Sequence, residues 1–345
     1  MLLDGLHIPL TTPFYPEGRV YLRKLEHNAE RYSRTPASGL VILSQTGESS
    51  LLSDVETREV LSTAIQASAP AKVMVADISR DGVSGTLDLA DFAATLAYDA
   101  VLLRLPTILS DGSEPAAQRL FYQTVADRSP LPVLLRDHAS MPLELVAELS
   151  GNPAFLGLVT ASEERSQQVR AATSSVVREV VVTTTFTAVT TRMRAPREPA
   201  SGGNYIAAGS LLGGTTALAT APPAPTIKTR FKKVGFQVLH GRSSMLVPAL
   251  EAGVAGAVLP FAACAPQAVH EVFAAWKDGD PKLAAEKQER LATAATEIEE
   301  RMGVAAIKFA ADLNGYFGGK PRLPILPLSG EQRSYVETLM EGMRN

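Results

Sequence analysis

The chain has 345 residues, 46% of them apolar, with a formal net charge of −3 and a single cysteine. That length and apolar content suit one large α/β barrel with a small appendage. The charge and the absence of a basic stripe speak against a nucleic-acid partner, and the lone cysteine excludes a disulfide within the chain.

The N-terminus, "MLLDGLHIPL", has neither a basic leader nor a long apolar core. The longest apolar stretch, "GVAGAVLPFAACA", is short and broken by Gly and Pro. No membrane partner and a cytoplasmic protein are therefore expected. Cys264, inside "FAACA", reads as a buried thiol.

In chain order, short β-branched runs alternate with longer segments of helical period. "HIPLTT" opens the series and "GLVILS" at Gly39–Ser44 follows. The helix after it starts at Ser53 with Glu56 three residues on, a capping box, and Val55, Val60, Leu61, Ala64 and Ile65 form its expected apolar stripe. "KVMVADI", "AVLLRL", "PVLLR", "FLGLV", "GFQVL" and "AGAVL" supply the further strands, with helices predicted near Leu87–Tyr98, Pro115–Ala126, Glu163–Ala172, Ser244–Glu251 and Pro266–Lys277. Eight apolar strands, seven of them preceding clear helices, predict parallel strands covered on both faces. A closed (β/α)8 TIM barrel over 1–280 is the expected fold. An open doubly wound sheet is the fallback, without a G-x-G-x-x-G after the first strand to support it.

Two regions depart from the rhythm. Beyond Pro281 only helices are predicted, at Pro281–Arg301, Val304–Leu313 and Gly330–Met343, so 281–345 reads as a C-terminal helical domain. Between the sixth and seventh barrel strands, 176–233 is an insertion: a strong strand signal, "VVREVVVTTTF", then a Gly-, Pro-, Ala- and Thr-rich stretch. A lid, a hairpin or an interface arm are its alternatives.

"GYFGGKP" at Gly315–Pro321 lacks the spacing and the hydroxyl of a phosphate loop. The five histidines form no zinc spacing with Cys264 or one another, so neither metal nor cofactor is expected. In a barrel the chemistry sits at the C-terminal strand ends. There the sequence offers Thr12, then Gln45, Thr46, Gly47 and Glu48, then Arg136, Asp137 and His138, then Thr160, then Gly241. "QTGES" is suited to holding a carboxylate, and Arg136 to pairing an anion bidentately. Each has a plainer reading: Thr12 or Ser162 as a turn cap, Glu48 bonded within its own loop, Arg136 paired with Asp137.

"IPLTTPF" at Ile8–Phe14 and "SQTGESSLLSDVETREV" at Ser44–Val60 resemble the dihydrodipicolinate synthase/N-acetylneuraminate lyase family. So do "FQVLHGRSSMLVPALEAGVAGAVLPFAACAPQAV" and "GVAAIKFAADLNGYFGGKPRLPILPLS". The resemblance implies a homodimeric or homotetrameric barrel and a class I aldolase reaction on pyruvate or another 2-oxo acid. It implies a Schiff-base lysine on the sixth strand, a tyrosine on the fifth, and carboxylate binding by a T-T-G-E loop. Thr46, Gly47 and Glu48 match that loop, and Gln45 replaces its first threonine. Where the family typically reads G-I-K-E-A-S, this chain reads "GLVTAS", with Val159 at the lysine and Thr160 at the acid. Arg136 stands at the tyrosine, "PTI" at Pro106–Ile108 replaces P-Y-Y, and a further family arginine aligns near Met141.

The usual Schiff-base mechanism is therefore expected to be lost. Two functions remain. One is a carbon–carbon lyase or aldolase with altered chemistry, using Arg136 and His138 without covalent catalysis or a relocated lysine such as Lys228, Lys232 or Lys233. The other is a non-catalytic homologue that binds a small carboxylate or a protein partner. The expected substrate contacts are Thr12, Gln45, Thr46, Gly47, Glu48, Thr160 and Gly241.

Overall fold

A computed structural model describes residues 1–109, 114–182 and 230–343. Eight parallel strands close into a barrel. They are β1 (Gly5–Pro9), β2 (Gly39–Ile42), β3 (Val73–Asp77), β4 (Ala100–Leu103), β5 (Val133–Arg136), β6 (Phe155–Thr160), β9 (Gln237–His240) and β10 (Gly256–Val258). β1 closes the ring, pairing with β2 through His7 and Gly39 and with β10 through Gly5 and Gly256. The closed barrel is thus the one the alternating apolar runs predict, and the open sheet is excluded.

The strand period of two sorts the side chains between two cores. Val41, Val73, Val75, Ala100, Leu102, Leu134, Val159, Leu239 and Val258 form one buried cluster, the barrel interior. Their neighbours Leu40, Ile42, Met74, Ala76, Val101, Leu103, Leu158 and Val238 belong to the larger cluster under the helices. Gly157 is required where β6 approaches β9: a Cβ there would lie 1.9 Å from the Gln237 carbonyl oxygen.

Outside run α1 (Leu22–Ser33), α2 (Asp54–Ala67), α3 (Val83–Thr95), α4 (Pro115–Arg128), α5 (Leu143–Ser150), α6 (Glu163–Ala172), α7 (Leu246–Glu251) and α8 (Pro266–Lys277). The capping box of α2 is formed, with Ser53 and Glu56 bonding each other's backbone N–H. Val55 leaves the expected stripe: it is 69% exposed, and Thr57 is buried beside Val60, Leu61, Ala64 and Ile65. At the first turn of a helix the outward face is still solvated, and Val55 lies on it.

The C-terminal helices are α9 (Pro281–Ala295), a π-helical turn over Thr296–Arg301, α10 (Val304–Leu313) and α11 (Gly330–Leu339). The π turn replaces the last part of the single helix predicted over Pro281–Arg301. Ala284, Leu291, Ile298, Ala306, Val336 and Met340 belong to the same buried cluster as the barrel's outer face. These helices share the barrel's core.

The insertion begins and ends as an antiparallel hairpin of β7 (Arg178–Val182) and β8 (Arg230–Val234). Val180 and Val182 bury themselves in the barrel-interior cluster, with Leu2, Leu3 and Leu156. The hairpin stem therefore covers the N-terminal end of the barrel. An insertion between a helix and the next strand must emerge at that end, because parallel strands all begin there. Positions 183–229, with Lys228 and most of the expected insertion, lie outside the described residues. No helix among the described residues is long and apolar enough to cross a membrane.

Candidate functional site

A cavity of about 430 Å³ opens at the C-terminal strand ends. Its walls carry Ser44, Gln45, Thr46, Glu48, Arg136, Asp137, Thr160, Gly241 and Glu299, together with Pro9, Val159, Val258, Pro260, Val304, Ile307 and Ile325. Of the expected contacts, Gln45, Thr46, Glu48, Thr160, Gly241 and Arg136 are brought together here. Thr12, Gly47 and His138 do not line it.

The loop after β2 tightens into a 3₁₀ turn over Gln45–Gly47, and Glu48 takes a left-handed conformation at φ 55°. That turn points the Glu48 side chain back into the protein. Its carboxylate is 0% exposed and lies 2.6 Å from Lys308 Nζ. Its other oxygen accepts the Arg322 backbone N–H at 2.7 Å. Lys308 Nζ also donates to the Thr12 and Lys320 carbonyls, at 2.8 and 3.0 Å. Burial lowers the pKa of Lys308, and the Glu48 charge opposes that shift. Glu48 lines the cavity and is at the same time a structural anchor, with both carboxylate oxygens engaged by Lys308 and the Arg322 N–H. Thr12 behaves likewise: its hydroxyl donates to the Gly47 carbonyl at 2.6 Å and braces the loop from behind. Ser44 differs. It is buried, it lines the cavity, and its hydroxyl has no hydrogen-bond partner.

Arg136 ends β5 on the inward face, in register with Val159. Among the described residues it is the only cation lining the cavity, and no hydrogen bond or ion pair with a described residue occupies it. The expected pairing with Asp137 does not occur. Asp137 lies 3.4 Å from Arg165, which also donates to the Met141 carbonyl at 2.6 Å. Adjacent strand residues point to opposite faces, so Arg136 looks inward while Asp137 turns to α6. Beneath the site, burial raises the pKa of Asp77, while hydrogen bonds from Ser79 and the charges of Arg136 and Arg104 oppose the shift.

Val159 is 5% exposed, and its side chain forms part of the cavity floor. Gly241 makes room beside it: a Cβ there would lie 3.3 Å from Val159 Cγ1. No lysine among the described residues lines the cavity. Lys232 and Lys233 sit on β8 and line a different cavity with Leu2, Asp4 and Phe236, at the N-terminal strand ends. The barrel's length separates them from the mouth, and neither lines its cavity.

His138 Nδ1 is 2.8 Å from Ser140 Oγ, and its ring lines a shallow cleft on the rim with Ser162, Glu163 and Arg242. It stands outside the pocket that holds Arg136. Ser162 caps α6 by accepting the Arg165 N–H. Cys264 is fully buried, and burial raises its thiol pKa. No cluster of metal-ligating side chains occurs among the described residues.

Glu299 is a wall residue that sequence reasoning missed. The π turn swings it inward, where its two oxygens accept the backbone N–H groups of Phe261 at 2.9 Å and Ser243 at 3.2 Å. Burial raises its pKa, and those donors oppose the shift. Nothing in "TEIEER" distinguishes this glutamate from Glu297 and Glu300. Lys308 did leave a signal, as a lone cation within the apolar "GVAAIKFAAD".

A parallel eight-stranded barrel with one polar cavity at its C-terminal mouth is the architecture of the aldolase-type (β/α)8 proteins. The dihydrodipicolinate synthetase family model matches residues 2–184 and 224–343, and the chain belongs to that family. A 4-hydroxy-tetrahydrodipicolinate synthase from Acidiphilium cryptum is 24% identical over 349 residues, 99% of each chain. One from Methanothrix thermoacetophila is 25% identical over 349 residues, covering 99% of this chain and 97% of the relative. Among solved structures, a dihydrodipicolinate synthase from Bacillus anthracis superposes with a TM-score of 0.77 at 18% identity, covering 100% of both chains. The N-acetylneuraminate lyase of Mycoplasma synoviae gives 0.72 at 14% identity, over 98% of this chain and 97% of that one. At such identities the structural likeness speaks for the fold.

Proposed function

We propose that the barrel mouth binds a small carboxylate of the 2-oxo acid type without forming a lysine imine. The observation that carries this reading is the pair at the end of β5 and β6: Arg136, a cation with no ion-pair partner among the described residues, beside Val159, which has no nucleophile. The guanidinium fork fits a carboxylate in two parallel hydrogen bonds. Ser44, with its unpaired hydroxyl, and Thr46 stand across the same cavity as further donors.

An imine mechanism needs an amine to attack the ketone and an iminium to accept the electrons released by carbon–carbon cleavage. With Val159 in the floor, that electron sink is missing. Lyase chemistry of the relatives' kind would then rest on hydrogen bonds from Arg136 polarising the carbonyl. The reading also takes the protein as a homo-oligomer. Ile108, 80% exposed, and Leu323 and Leu326, each 73% exposed, are apolar surface that a second copy would cover.

Borohydride trapping with pyruvate and larger 2-oxo acids, read by intact mass, tests the chemistry. No adduct is expected. Isothermal titration with the same acids tests the site: Arg136→Met should weaken binding roughly 10- to 100-fold, the worth of a charge-assisted bond. A stable adduct on any lysine would overturn the reading, as would binding that Arg136→Met leaves unchanged.

A further inference from the structure

We propose that the mouth selects a monocarboxylate bearing an apolar chain, against pyruvate and against dicarboxylates. This deepens the carboxylate reading above and rests on it.

The cavity wall is mixed. Ser44, Thr46 and Arg136 offer it donors, and Val159, beside Arg136 in the β5–β6 register, with Val258, Pro260, Ile307 and Ile325 offers it apolar surface. The charge count comes first. Three carboxylates and one cation line the cavity among the described residues. Glu48 is neutralised by Lys308 and Asp137 by Arg165. Arg136 is left as the cation for one ligand carboxylate, Glu299 is left with no cation beside it, and no further cation lines the cavity among the described residues.

Glu299 adds discrimination. It lines the cavity, and both its oxygens accept backbone N–H groups, which hold the carboxylate in place at the wall. A second ligand carboxylate would meet acceptor against acceptor in a partly desolvated pocket. Repulsive elements of this kind set specificity as much as attractive ones do.

Size and polarity then define the rest of the ligand. A volume of about 430 Å³ is far more than a three-carbon acid fills. Beside Gln45, Ser50 and Thr160 the wall includes Val159, Val258, Pro260, Val304, Ile307 and Ile325, against which the hydroxyls of a polyhydroxylated chain would go unpaired. A branched or linear hydrocarbon chain removes that wall from water instead. Val159 contributes directly: the residue that removes the imine chemistry also makes the floor apolar.

Isothermal titration at pH 8, where simple carboxylates are ionised, tests the proposal with pyruvate, 4-methyl-2-oxopentanoate, hexanoate, 2-oxoglutarate, hexanedioate and gluconate. The two acids with apolar chains should bind about tenfold tighter than pyruvate or more, since each buried methylene adds several-fold. Each dicarboxylate should bind at least tenfold weaker than the monocarboxylate of similar length. Glu299→Gln should narrow that second gap while leaving hexanoate within about threefold. Val159→Thr, which sets a hydroxyl into the floor, should weaken hexanoate more than pyruvate; it stands in if Glu299→Gln fails to fold. If pyruvate or 2-oxoglutarate binds as tightly as the apolar-chain acids, the selectivity proposal falls and the carboxylate site stands. If no acid of the panel binds, both fall.

Discussion

Lys308 of α10 and Glu48 of the mouth loop form an ion pair in which both side chains are 0% exposed, Nζ to Oε1 2.6 Å. The two residues are 260 positions apart in the chain. Through this pair the C-terminal helices hold the loop that carries Ser44, Gln45 and Thr46 at the cavity. Removing one partner leaves a buried charge without compensation. Lys308→Met should destabilise the protein by roughly 3–5 kcal/mol. Urea unfolding of Lys308→Met, Glu48→Leu and the double variant measures this. The double variant should lose clearly less than the two single losses combined, because it leaves no orphaned charge.

Stability should fall as the pH drops from 6.5 to 4. His7 and His240 are buried, and burial lowers each to a pKa of about 4, from 6.5. Between those values the unfolded chain takes up protons that the native state refuses, so acid favours unfolding. Below the native pKa both states are protonated and this contribution levels off. Among the described residues neither ring nitrogen of His240 finds a partner at normal hydrogen-bond geometry, and the nearby Arg242 charge adds to the lowering. His240→Leu should therefore cost little at pH 7 and flatten the slope, as read from urea midpoints at pH 7, 5.5 and 4.

An amine at position 159 should restore imine formation. Val159→Lys places its Nζ in the cavity, beside Arg136 across the β5–β6 register. The neighbouring positive charge and partial burial both lower an amine's pKa, which leaves more of it nucleophilic at neutral pH. Borohydride with pyruvate should then add one reduced pyruvyl group to the variant and none to the natural protein. Intact mass decides it, and peptide mapping should place the adduct on residue 159.

Gly157→Ala should be among the most damaging small substitutions in the chain. The new Cβ would stand 1.9 Å from the Gln237 carbonyl oxygen, which is backbone and has no rotamer to give. A loss of more than about 3 kcal/mol, or failure to fold, is expected from overpacking of this kind. Gly330→Ala at the start of α11 is the control: nothing lies within 4 Å of its Cβ position. Thermal unfolding of the two variants should differ widely.

The sequence by itself determined the elements. Eight apolar runs became the eight barrel strands, and α6 and α8 have the bounds that periodicity and capping residues predict. The capping box at Ser53 is likewise local, set by residues within one turn. The motif at Thr46–Glu48 and the valine at 159 were legible because they occupy fixed places along a single strand end. Only the tertiary structure decided which polar groups are already used. Glu48 is also held by Lys308 and Arg322, which arrive from the far end of the chain. Arg136 and Asp137 read as a pair until the strand's pleat sends them to opposite faces and Arg165 takes the aspartate. Glu299 enters the mouth because a π turn rotates it there, and the hairpin stem covers the end of the barrel away from the site. Periodicity is written in neighbouring residues, whereas the occupancy of a charge depends on partners hundreds of positions away.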